Sequence, residues 1–307
     1  MKTLFIDCNP QFELVFKRVH RADDPPVVIN NHPFQSSDLP RMLDGYGICI
    51  DDHSYMPTEV MKQCGSLKHV VFCGTGASSY MDVPALAALG ITVHTFRGYG
   101  DTAVAEHTIA LMFACAREIA VMDRGIRDGR WQPLEGFQLR GKTLGVIGLG
   151  GIGREVARIG HGIGMNVIGW NRTARTDAGV PMVDIDTLLS SCDVISLNLL
   201  LTDETRDFLD ARRVARIKPG AILVNTARGA LIEEAALIAA LESGRIRHAG
   251  LDVFHAEPLK ADHPLARMKN VTLSPHAAFR TLEASMSLLR RALDIVRRIE
   301  GHPPVPE

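Results

Sequence analysis

The chain has 307 residues, too many for one ordinary hydrophobic core and a suitable number for two domains. Hydrophobic residues make up 46% of it and charged residues 22%, which is typical of a soluble globular protein. A formal net charge of -1 and the lack of long lysine or arginine runs argue against nucleic-acid or membrane-surface binding. The six cysteines form no C-x-x-C pair, so we predict reduced thiols and neither a metal site nor a disulfide framework.

Residues 1–10 are a short apolar run broken by Asp7, too short and too acidic for a secretory signal. The longest purely apolar stretch, 109–116, is too short to span a bilayer. We therefore expect a cytoplasmic protein with no membrane partner.

The first hundred residues alternate short apolar runs with segments of helical pattern. The apolar runs, which we predict to be strands, begin at Leu4, Val27, Ile48, Val70 and Ile91. Helices fit between them, for example over 58–64 and 83–89. This alternation predicts a parallel sheet with helices on both faces.

One long helix is predicted over 102–124, where Val104 and Leu111 recur at helical spacing and Asp101 or Thr102 can cap the start. A second alternating series follows Trp131. Its six predicted strands are 143–147, 166–170, 194–197, 221–225, 249–253 and 271–274. Six strands with helical crossovers match a full dinucleotide-binding sheet. Beyond them we predict a last helix and a frayed, proline-rich tail, 282–298 and 303–306.

The strand 143–147 runs directly into a G-x-G-x-x-G sequence that can continue as a helix. Gly148 permits a tight turn, Gly150 lets the backbone approach a pyrophosphate, and Gly153 lets the helix pack on the strand. The helix N-terminus offers N–H groups to phosphate oxygens. The alternative is an ordinary glycine-rich turn. The residues expected to hold the pyrophosphate are Gly148, Gly150, Gly151, Ile152 and Gly153.

The next strand ends at Trp170, close to where an NAD enzyme places a carboxylate for the ribose hydroxyls. This chain has Asn171, Arg172 and Thr173 there, with Arg175 nearby. A guanidinium attracts a 2′-phosphate, whereas a carboxylate would repel it. The sequence therefore favours NADP(H) and leaves NAD(H) possible. The alternative is that both arginines are solvated loop charges.

Three residues suited to carbonyl reduction follow predicted strands of the second series: Arg228, Glu257 and His276. Ligands of an open α/β sheet bind at the carboxyl ends of its strands, so the three can converge. Hydride arriving at a 2-oxo carbon leaves an alkoxide, which a histidinium can protonate. Glu257 would fix the histidine tautomer, and Arg228 would hold the substrate carboxylate and polarise the carbonyl. Taken singly, each residue also has a purely structural interpretation.

The segments around these residues strongly resemble the D-2-hydroxyacid dehydrogenase family. Residues 218–234 resemble its arginine motif, 250–258 its glutamate motif and 274–278 its histidine motif, while 104–108 is similar to the start of its interdomain helix. The resemblance covers about residues 45–300. It implies D-stereospecific hydride exchange between NAD(P)H and C2 of a small 2-oxo or 2-hydroxy acid, with Arg228, Glu257 and His276 in the roles given above.

The resemblance also implies an α/β architecture of two doubly wound parallel-sheet domains. A Rossmann cofactor domain, 100–280, would be inserted in a flavodoxin-like substrate domain formed by 1–99 and 281–307. A homodimer through the cofactor domain is expected, with Trp131 either anchoring an arm of that interface or packing within its own chain.

Further site residues come from the same resemblance. Asp252 would face the nicotinamide carboxamide. The substrate is expected to contact Thr75, Gly76, Ala77, Arg228 and His276. The cofactor is also expected to contact Leu199, Leu200, Thr205, Thr226, Ala227, His276 and Ala278. Residues 198–202 depart from the family's His-x-Pro-Leu-Thr pattern, so this part of the cofactor contact is expected to be reshaped.

Members acting on phosphoglycerate tend to carry a basic residue where this chain has Asp51 and Asp52. Two carboxylates would repel a phosphorylated substrate, which favours glyoxylate, hydroxypyruvate or another small acid. A 3-phosphoglycerate dehydrogenase-like enzyme stays an alternative. A nicotinamide-sensing corepressor is less favoured because such proteins add long flexible tails. A further alternative is formate dehydrogenase, a related enzyme that has another residue in place of the glutamate. The presence of Glu257 argues against it. The sequence does not name the physiological acid.

Overall fold

The computed structural model describes residues 1–173 and 179–302. It contains two compact units. The first combines Met1–Gly100 with the segment that begins at Arg280, and the second is Asp101–Phe279. The chain therefore divides at 100/101 and 279/280, where the sequence predicts 99/100 and 280/281.

The first unit is built on a five-stranded parallel sheet in the order β2-β1-β3-β4-β5. Its strands are β1 (Thr3–Phe5), β2 (Val27–Ile29), β3 (Ile48–Asp51), β4 (His69–Phe72) and β5 (Thr92–His94). Its helices, numbered along the whole chain, are α1 (Pro10–Val19), α2 (Leu39–Met42), α3 (Thr58–Met61), α4 (Val83–Ala88) and α12 (Leu282–Ile299). This strand order is that of flavodoxin-like sheets, which confirms the predicted architecture of this unit.

The second unit contains a six-stranded parallel sheet in the order β7-β6-β8-β9-β10-β11. Its strands are β6 (Thr143–Ile147), β7 (Asn166–Trp170), β8 (Val194–Leu197), β9 (Ala221–Asn225), β10 (Ile246–Leu251) and β11 (Val271–Leu273). Its helices are α5 (Asp101–Ala116), α6 (Ile119–Arg127), α7 (Gly151–Gly162), α8 (Ile185–Ser191), α9 (Ala211–Val214), α10 (Glu234–Glu242) and α11 (Pro264–Arg267).

A dinucleotide-binding sheet usually has a strand beyond β7. Here that position is held by a single parallel bridge between Gly169 and Met182. The six predicted strands all exist, so the doubly wound parallel sheet is confirmed. Within residues 1–173 and 179–302, the strand beyond β7 is represented by this bridge.

The single helix predicted over 102–124 is wrong, because the structure ends α5 at Ala116 and starts α6 at Ile119. Glu118 between them adopts a left-handed backbone with φ of +55°. The Ala116 carbonyl accepts a hydrogen bond from the Phe137 amide at 2.9 Å instead of one from the next helical turn. Tertiary contacts cause the break. The sequence has no proline or glycine between Ala116 and Ile119 from which it could be predicted.

No helix within residues 1–173 and 179–302 is both long enough and apolar enough to span a lipid bilayer. The predicted tail 303–306 lies outside the described residues.

The two parts of the first unit are joined by a buried ion pair. Arg290 of α12 donates two hydrogen bonds to the Asp24 carboxylate, at 2.6 and 2.8 Å, and Arg297 adds a third at 3.1 Å. The Asp24 side chain is 0% exposed and that of Arg297 5% exposed. Burial alone would raise the pKa of Asp24, but the hydrogen bonds from Arg290 and Arg297 outweigh it and hold that pKa well below the ordinary value.

Replacing Asp24 by Asn should destabilise the first unit by about 3 kcal/mol, because two nearly buried guanidinium groups lose their carboxylate. The urea midpoint of this unit measures the effect. Because the pKa of Asp24 is lowered on folding, the difference from wild type should be complete above about pH 4 and narrow only in stronger acid.

The matched control is Asp23→Asn. Asp23 also pairs with Arg297, at 3.1 Å, but its side chain is 65% exposed, so its loss should cost less than about 1 kcal/mol. Equal losses in the two variants would contradict a special role for the buried carboxylate.

Candidate active site

The residues Arg228, Glu257 and His276 follow three strands that are neighbours in one sheet. β9, β10 and β11 are paired in parallel, so their carboxyl ends lie on the same edge. Each of the three residues stands on the loop that leaves its strand at that edge. The topology therefore brings three side chains that are distant in sequence to one place.

Glu257 and His276 are directly hydrogen-bonded. His276 Nδ1 lies 2.6 Å from Glu257 Oε2, and the Phe254 amide donates to Glu257 Oε1 at 2.9 Å. The two side chains are 19% and 31% exposed, for His276 and Glu257 respectively. The pair is thus fixed in geometry while part of each side chain stays accessible.

The carboxyl group of Glu257 is held in its ionised form. Burial acts to raise its pKa, but the hydrogen bonds from His276 and from the Phe254 amide outweigh burial. The positive charge of Arg228 adds to the same effect. The resulting pKa lies below the ordinary glutamate value, so this side chain accepts hydrogen bonds and does not donate one.

The Arg228 loop reaches the Glu257 loop through a glycine. A Cβ on Gly229 would lie 2.1 Å from the carbonyl carbon of Phe254, so only glycine permits this backbone-to-backbone contact. Asn225 fixes the same loop, because its side chain donates to the Arg228 carbonyl at 2.9 Å and accepts from the Ala227 amide at 3.0 Å.

Asp252 holds the histidine loop from inside the unit and is 0% exposed. Its carboxylate accepts from the Ser274 hydroxyl at 2.6 Å and from the Ala277 and Ala278 amides at 2.9 Å. The contact with a nicotinamide carboxamide that the resemblance implied stays a prediction. What the structure shows for Asp252 is the positioning of the loop that carries His276.

The glycine loop at the start of α7 contains crowded positions and one open position, Gly150. Gly148 has φ of +94°, and a Cβ on Gly153 would lie 1.9 Å from the Gly148 carbonyl oxygen. A Cβ on Gly150 would meet nothing within 4 Å, and its φ of -74° suits any residue. The space beside Gly150 at the N-terminus of α7 fits the pyrophosphate of a dinucleotide. Gly151 and Ile152 form the first turn of the helix.

The loop after β7 connects to this glycine loop through Asn171, whose side-chain oxygen accepts from the Leu149 amide at 3.3 Å. The Asn171 amide group donates to the Thr173 carbonyl at 2.9 Å. Arg172 is exposed and forms an ion pair with Glu204. Arg175 lies outside the described residues.

The remaining residues assigned to the cofactor lie on loops at the same edge, but not all offer their side chains. The Thr226 hydroxyl contacts Thr108 of α5 at 2.8 Å, and the Ala278 amide is bonded to Asp252. Leu200 is 51% exposed, and its carbonyl accepts from the Thr205 hydroxyl at 2.7 Å. Leu199 and Ala227, at the ends of β8 and β9, are partly buried.

The part played by α5 was not predicted from the sequence, where His107 and Thr108 stand only within a motif. The structure places His107 Nε2 2.8 Å from the Ser274 hydroxyl and Thr108 against Thr226. Two adjacent hydrogen-bonding residues, one of them followed by the apolar run that completes the helix, were the available signal.

Thr75, Gly76 and Ala77, which are expected to bind the substrate, belong to the first unit, on the loop that leaves β4 at the carboxyl edge of its sheet. Thr75 is exposed, whereas Gly76 and Ala77 are buried.

Asp51 and Asp52, the two carboxylates expected to repel a phosphorylated substrate, are both buried. Asp51 is 0% exposed. Its burial, and to a smaller extent the nearby charge of Asp7, raise its pKa well above the ordinary value. Asp52 is 5% exposed, with its carboxylate oxygens 2.9 Å from His53 Nδ1 and 3.6 Å from Arg280 Nη2. The electrostatic argument against a phosphorylated substrate therefore loses its basis.

Across the part of the chain that the structure describes, no group of three or more His, Cys, Asp or Glu side chains could hold a metal ion. All six cysteines are buried as free thiols.

Residues 109–278 match the family model of the D-isomer specific 2-hydroxyacid dehydrogenase, NAD binding domain. The chain belongs to the D-2-hydroxyacid dehydrogenase family. It is accordingly an oxidoreductase with an NAD-binding domain, and the matched segment contains Arg228, Glu257 and His276.

Relatives within this family carry different substrate names. The chain is 38% identical over 263 residues to a D-3-phosphoglycerate dehydrogenase of Archaeoglobus fulgidus, a match that covers 83% of this chain and 50% of that protein. It therefore spans half the length of that relative. It is also 38% identical over 260 residues to a glyoxylate reductase of Aeropyrum pernix, covering 80% and 77% of the two chains.

A solved structure with similar architecture is that of an acyclic imino acid reductase in complex with NADPH and D-Arg. The TM-score is 0.86 at 31% sequence identity, and the match covers 99% of this chain and 98% of the other.

For a dehydrogenase of this family, Gly150 tests the pyrophosphate site directly. Gly150→Ala should leave the unfolding midpoint unchanged, because the added methyl group meets no protein atom. It should weaken NAD(P)H binding about tenfold or more by blocking close approach of the pyrophosphate to the backbone. Fluorescence titration of the reduced cofactor measures the affinity.

Gly162→Ala, at the end of the same helix α7, is the matched control, since a Cβ there also meets nothing. It should bind the cofactor like wild type. Wild-type affinity in Gly150→Ala would rule out a pyrophosphate at this turn.

Proposed function

We propose that this dehydrogenase uses NAD(P)H to reduce a small 2-oxo acid to the D-2-hydroxy acid, with Arg228, Glu257 and His276 as its catalytic residues. The observation that carries the proposal is the 2.6 Å contact between His276 Nδ1 and an ionised Glu257, on a loop packed against that of Arg228. When bound, the nicotinamide cofactor supplies the hydride.

His276 is the proton donor. Because the Glu257 carboxylate can only accept, the proton between the two residues stands on Nδ1 of the histidine. The proton given to the substrate oxygen is then carried by Nε2, and the same atom recovers it in the oxidation direction. Glu257 also stabilises the imidazolium form, so its role is to orient and to compensate charge.

Arg228 binds the substrate carboxylate and polarises the 2-oxo group. A planar guanidinium can hold both oxygens of a carboxylate, which positions the carbonyl carbon and stabilises the developing alkoxide. Asn225 and Gly229 set the direction of this side chain by fixing the backbone on either side of it. For the first unit, substrate contact by Thr75, Gly76 and Ala77 stays a proposal from the resemblance.

We propose NADP(H) as the preferred cofactor, with NAD(H) also accepted. Supporting this, Asn171 stands where NAD enzymes use a carboxylate, and Arg172 follows it. The ion pair of Arg172 with Glu204 is a competitor for the 2′-phosphate. Both side chains are about 70% exposed, so the pair is weak and can open.

The proposed substrates are glyoxylate, hydroxypyruvate and similar small 2-oxo acids, a class that includes the substrate named for the Aeropyrum pernix relative. The phosphorylated alternative is kept because Asp51 and Asp52 are buried and because a D-3-phosphoglycerate dehydrogenase is an equally similar relative. A cytoplasmic location stays a prediction from the sequence.

A homodimer through the second unit is also proposed. Ile119, Ile126 and Trp131 on α6 and the arm that follows are 52%, 58% and 88% exposed. The high exposure of Trp131 contradicts the alternative that it packs within its own chain. Three large apolar side chains close together in sequence are typical of a surface that another subunit covers.

The His276→Gln variant should lose about 10²–10⁴-fold in kcat/KM while NADPH affinity stays nearly unchanged, because only proton transfer is removed. The assay follows NADPH oxidation with glyoxylate, hydroxypyruvate, pyruvate, bulkier 2-oxo acids and 3-phosphohydroxypyruvate. The configuration of the product is determined by chiral chromatography, with the D-isomer expected.

His263→Gln is the control, since His263 also pairs with a glutamate, Glu234, at 3.3 Å and is similarly exposed at 24%. It should retain full activity. The proposed function would be contradicted if the His276→Gln variant were fully active. It would also be contradicted if the wild-type protein reduced none of the acids in the panel.

For the cofactor, Arg172→Gln should lower the ratio of kcat/KM for NADPH over NADH about 10–100-fold, because a charge-assisted contact with the 2′-phosphate is lost. Glu204→Gln should raise the same ratio by removing the competing carboxylate. Arg158→Gln, which removes an exposed arginine paired with Glu155, is the control. A wild-type preference for NADH would contradict the role given to Arg172.

A further inference from the structure

The loop that carries His276 is held in an unusual backbone conformation. His276 has φ of +50°, a left-handed value that residues other than glycine seldom adopt. Three amide hydrogen bonds to Asp252 hold it there: the His276 amide donates to the Asp252 carbonyl at 2.8 Å, and the next two amides donate to the carboxylate. The direction of the imidazole therefore depends on how Asp252 is oriented.

Asp252 is in turn oriented from α5. The Ser274 hydroxyl donates its single proton to Asp252 Oδ1 at 2.6 Å, so toward His107 it can only accept. His107 Nε2 lies 2.8 Å from the Ser274 oxygen and 3.6 Å from Asp252 Oδ1. His107 is therefore the donor, and the series His107, Ser274, Asp252 ends at the backbone of His276.

Thr108, the next residue of α5, contacts the loop that carries Arg228. The Thr108 hydroxyl donates to the Val104 carbonyl at 2.8 Å and thereby accepts from the Thr226 hydroxyl, also at 2.8 Å. Thr108 and Thr226 are 2% and 7% exposed. Thr226 lies two residues before Arg228, so this contact fixes the beginning of the arginine loop.

Helix α5 is a rigid support for both contacts. It packs on β10 so closely that a Cβ on Gly250 would lie 3.0 Å from Leu111 Cβ and 3.2 Å from Cys115 Sγ. A helix that cannot shift against the sheet can hold two loops at a constant distance from each other.

We propose that His107 and Thr108 are positioning residues of the proposed reaction. His107 acts on proton transfer through Ser274, Asp252 and the His276 loop, whereas Thr108 acts on substrate binding through Thr226 and the Arg228 loop. The inference rests on the proposed roles of His276 and Arg228. It assigns two different kinetic effects to two adjacent residues of one helix.

The first test compares His107→Leu with His107→Gln, which keeps a side-chain N–H donor. His107→Leu should lower kcat about tenfold or more with little change in the KM of the 2-oxo acid, because a displaced imidazole slows proton transfer without weakening binding. The pH profile of kcat should also move. His107→Gln should restore both to near wild type. His20→Leu, which removes a partly buried histidine bonded to the Pro25 carbonyl in the first unit, is the control.

The second test asks whether His107 acts through His276. In a His276→Gln background, adding His107→Leu should lower kcat by no more than about twofold, because the group it positions is already gone. A purely structural role would lower kcat by the same factor in both backgrounds and would contradict the proposal. If His107→Leu does not fold, Ser274→Ala interrupts the same series from the loop side.

The third test concerns Thr108. Thr108→Val should raise the KM of the 2-oxo acid about tenfold with a smaller effect on kcat, whereas Thr108→Ser should resemble wild type. The same change in kcat and KM for the His107 and Thr108 variants would overturn the division of roles.

The outcomes separate this inference from the proposed function. If His276→Gln is fully active, the proposed function fails and the inference fails with it. If His276→Gln is impaired but His107→Leu has wild-type kcat and pH profile, only the inference is overturned.

Discussion

The buried carboxylate of Asp252 is the interaction on which the candidate site depends. The sheet places the carboxyl ends of β9, β10 and β11 along one edge, but adjacency alone does not aim a side chain. Asp252 accepts the amides of the loop after β11 and so turns His276 back toward the loop after its own strand, β10. The contact between His276 and Glu257 follows from that. One residue with no exposed surface thus determines the geometry of a partly exposed pair.

At the other end of the proposed cofactor site the constraint is of a different kind. The glycine loop is fixed where Gly148 and Gly153 meet, and Asn171 connects it to the loop after β7. Among the described residues, Arg172 forms an exposed ion pair with Glu204. The pyrophosphate end is therefore rigid, while the ribose end is adjustable. Such an arrangement lets cofactor preference change through a few surface charges without any change in the fold.

The sequence was sufficient for the architecture because strands of parallel sheets are buried on both faces and appear as short apolar runs. All six strands predicted in the second unit exist, and the last helix extends one residue beyond its predicted end. The division of α5 and α6 at Glu118 could not be predicted, because its cause is the Phe137 amide from a segment twenty residues away. Local pattern contains no information about such a contact.

The candidate site shows the same limit. Arg228, Glu257 and His276 could be proposed as a group because each is a reactive side chain that follows a strand and because the motifs around them resemble those of the family. The direction of a side chain is not visible in sequence. Asp252 and Thr226 belong to the right loops, yet both turn into the unit, and Asp51, expected to repel a phosphorylated substrate, is buried. Burial is decided by tertiary packing, which a single sequence does not reveal.

The ion pair of Asp24 with α12 has a consequence for how the protein is made. The second unit is one contiguous segment, Asp101–Phe279, whereas the first unit includes Arg290 and Arg297 from a segment that follows the second unit in the chain. During synthesis on the ribosome the N-terminal hundred residues emerge first, yet they must wait for the last helix before Asp24 is neutralised. The first unit therefore begins to emerge before the second unit but is completed after it. A polypeptide truncated before α12 would contain the whole second unit and only part of the first.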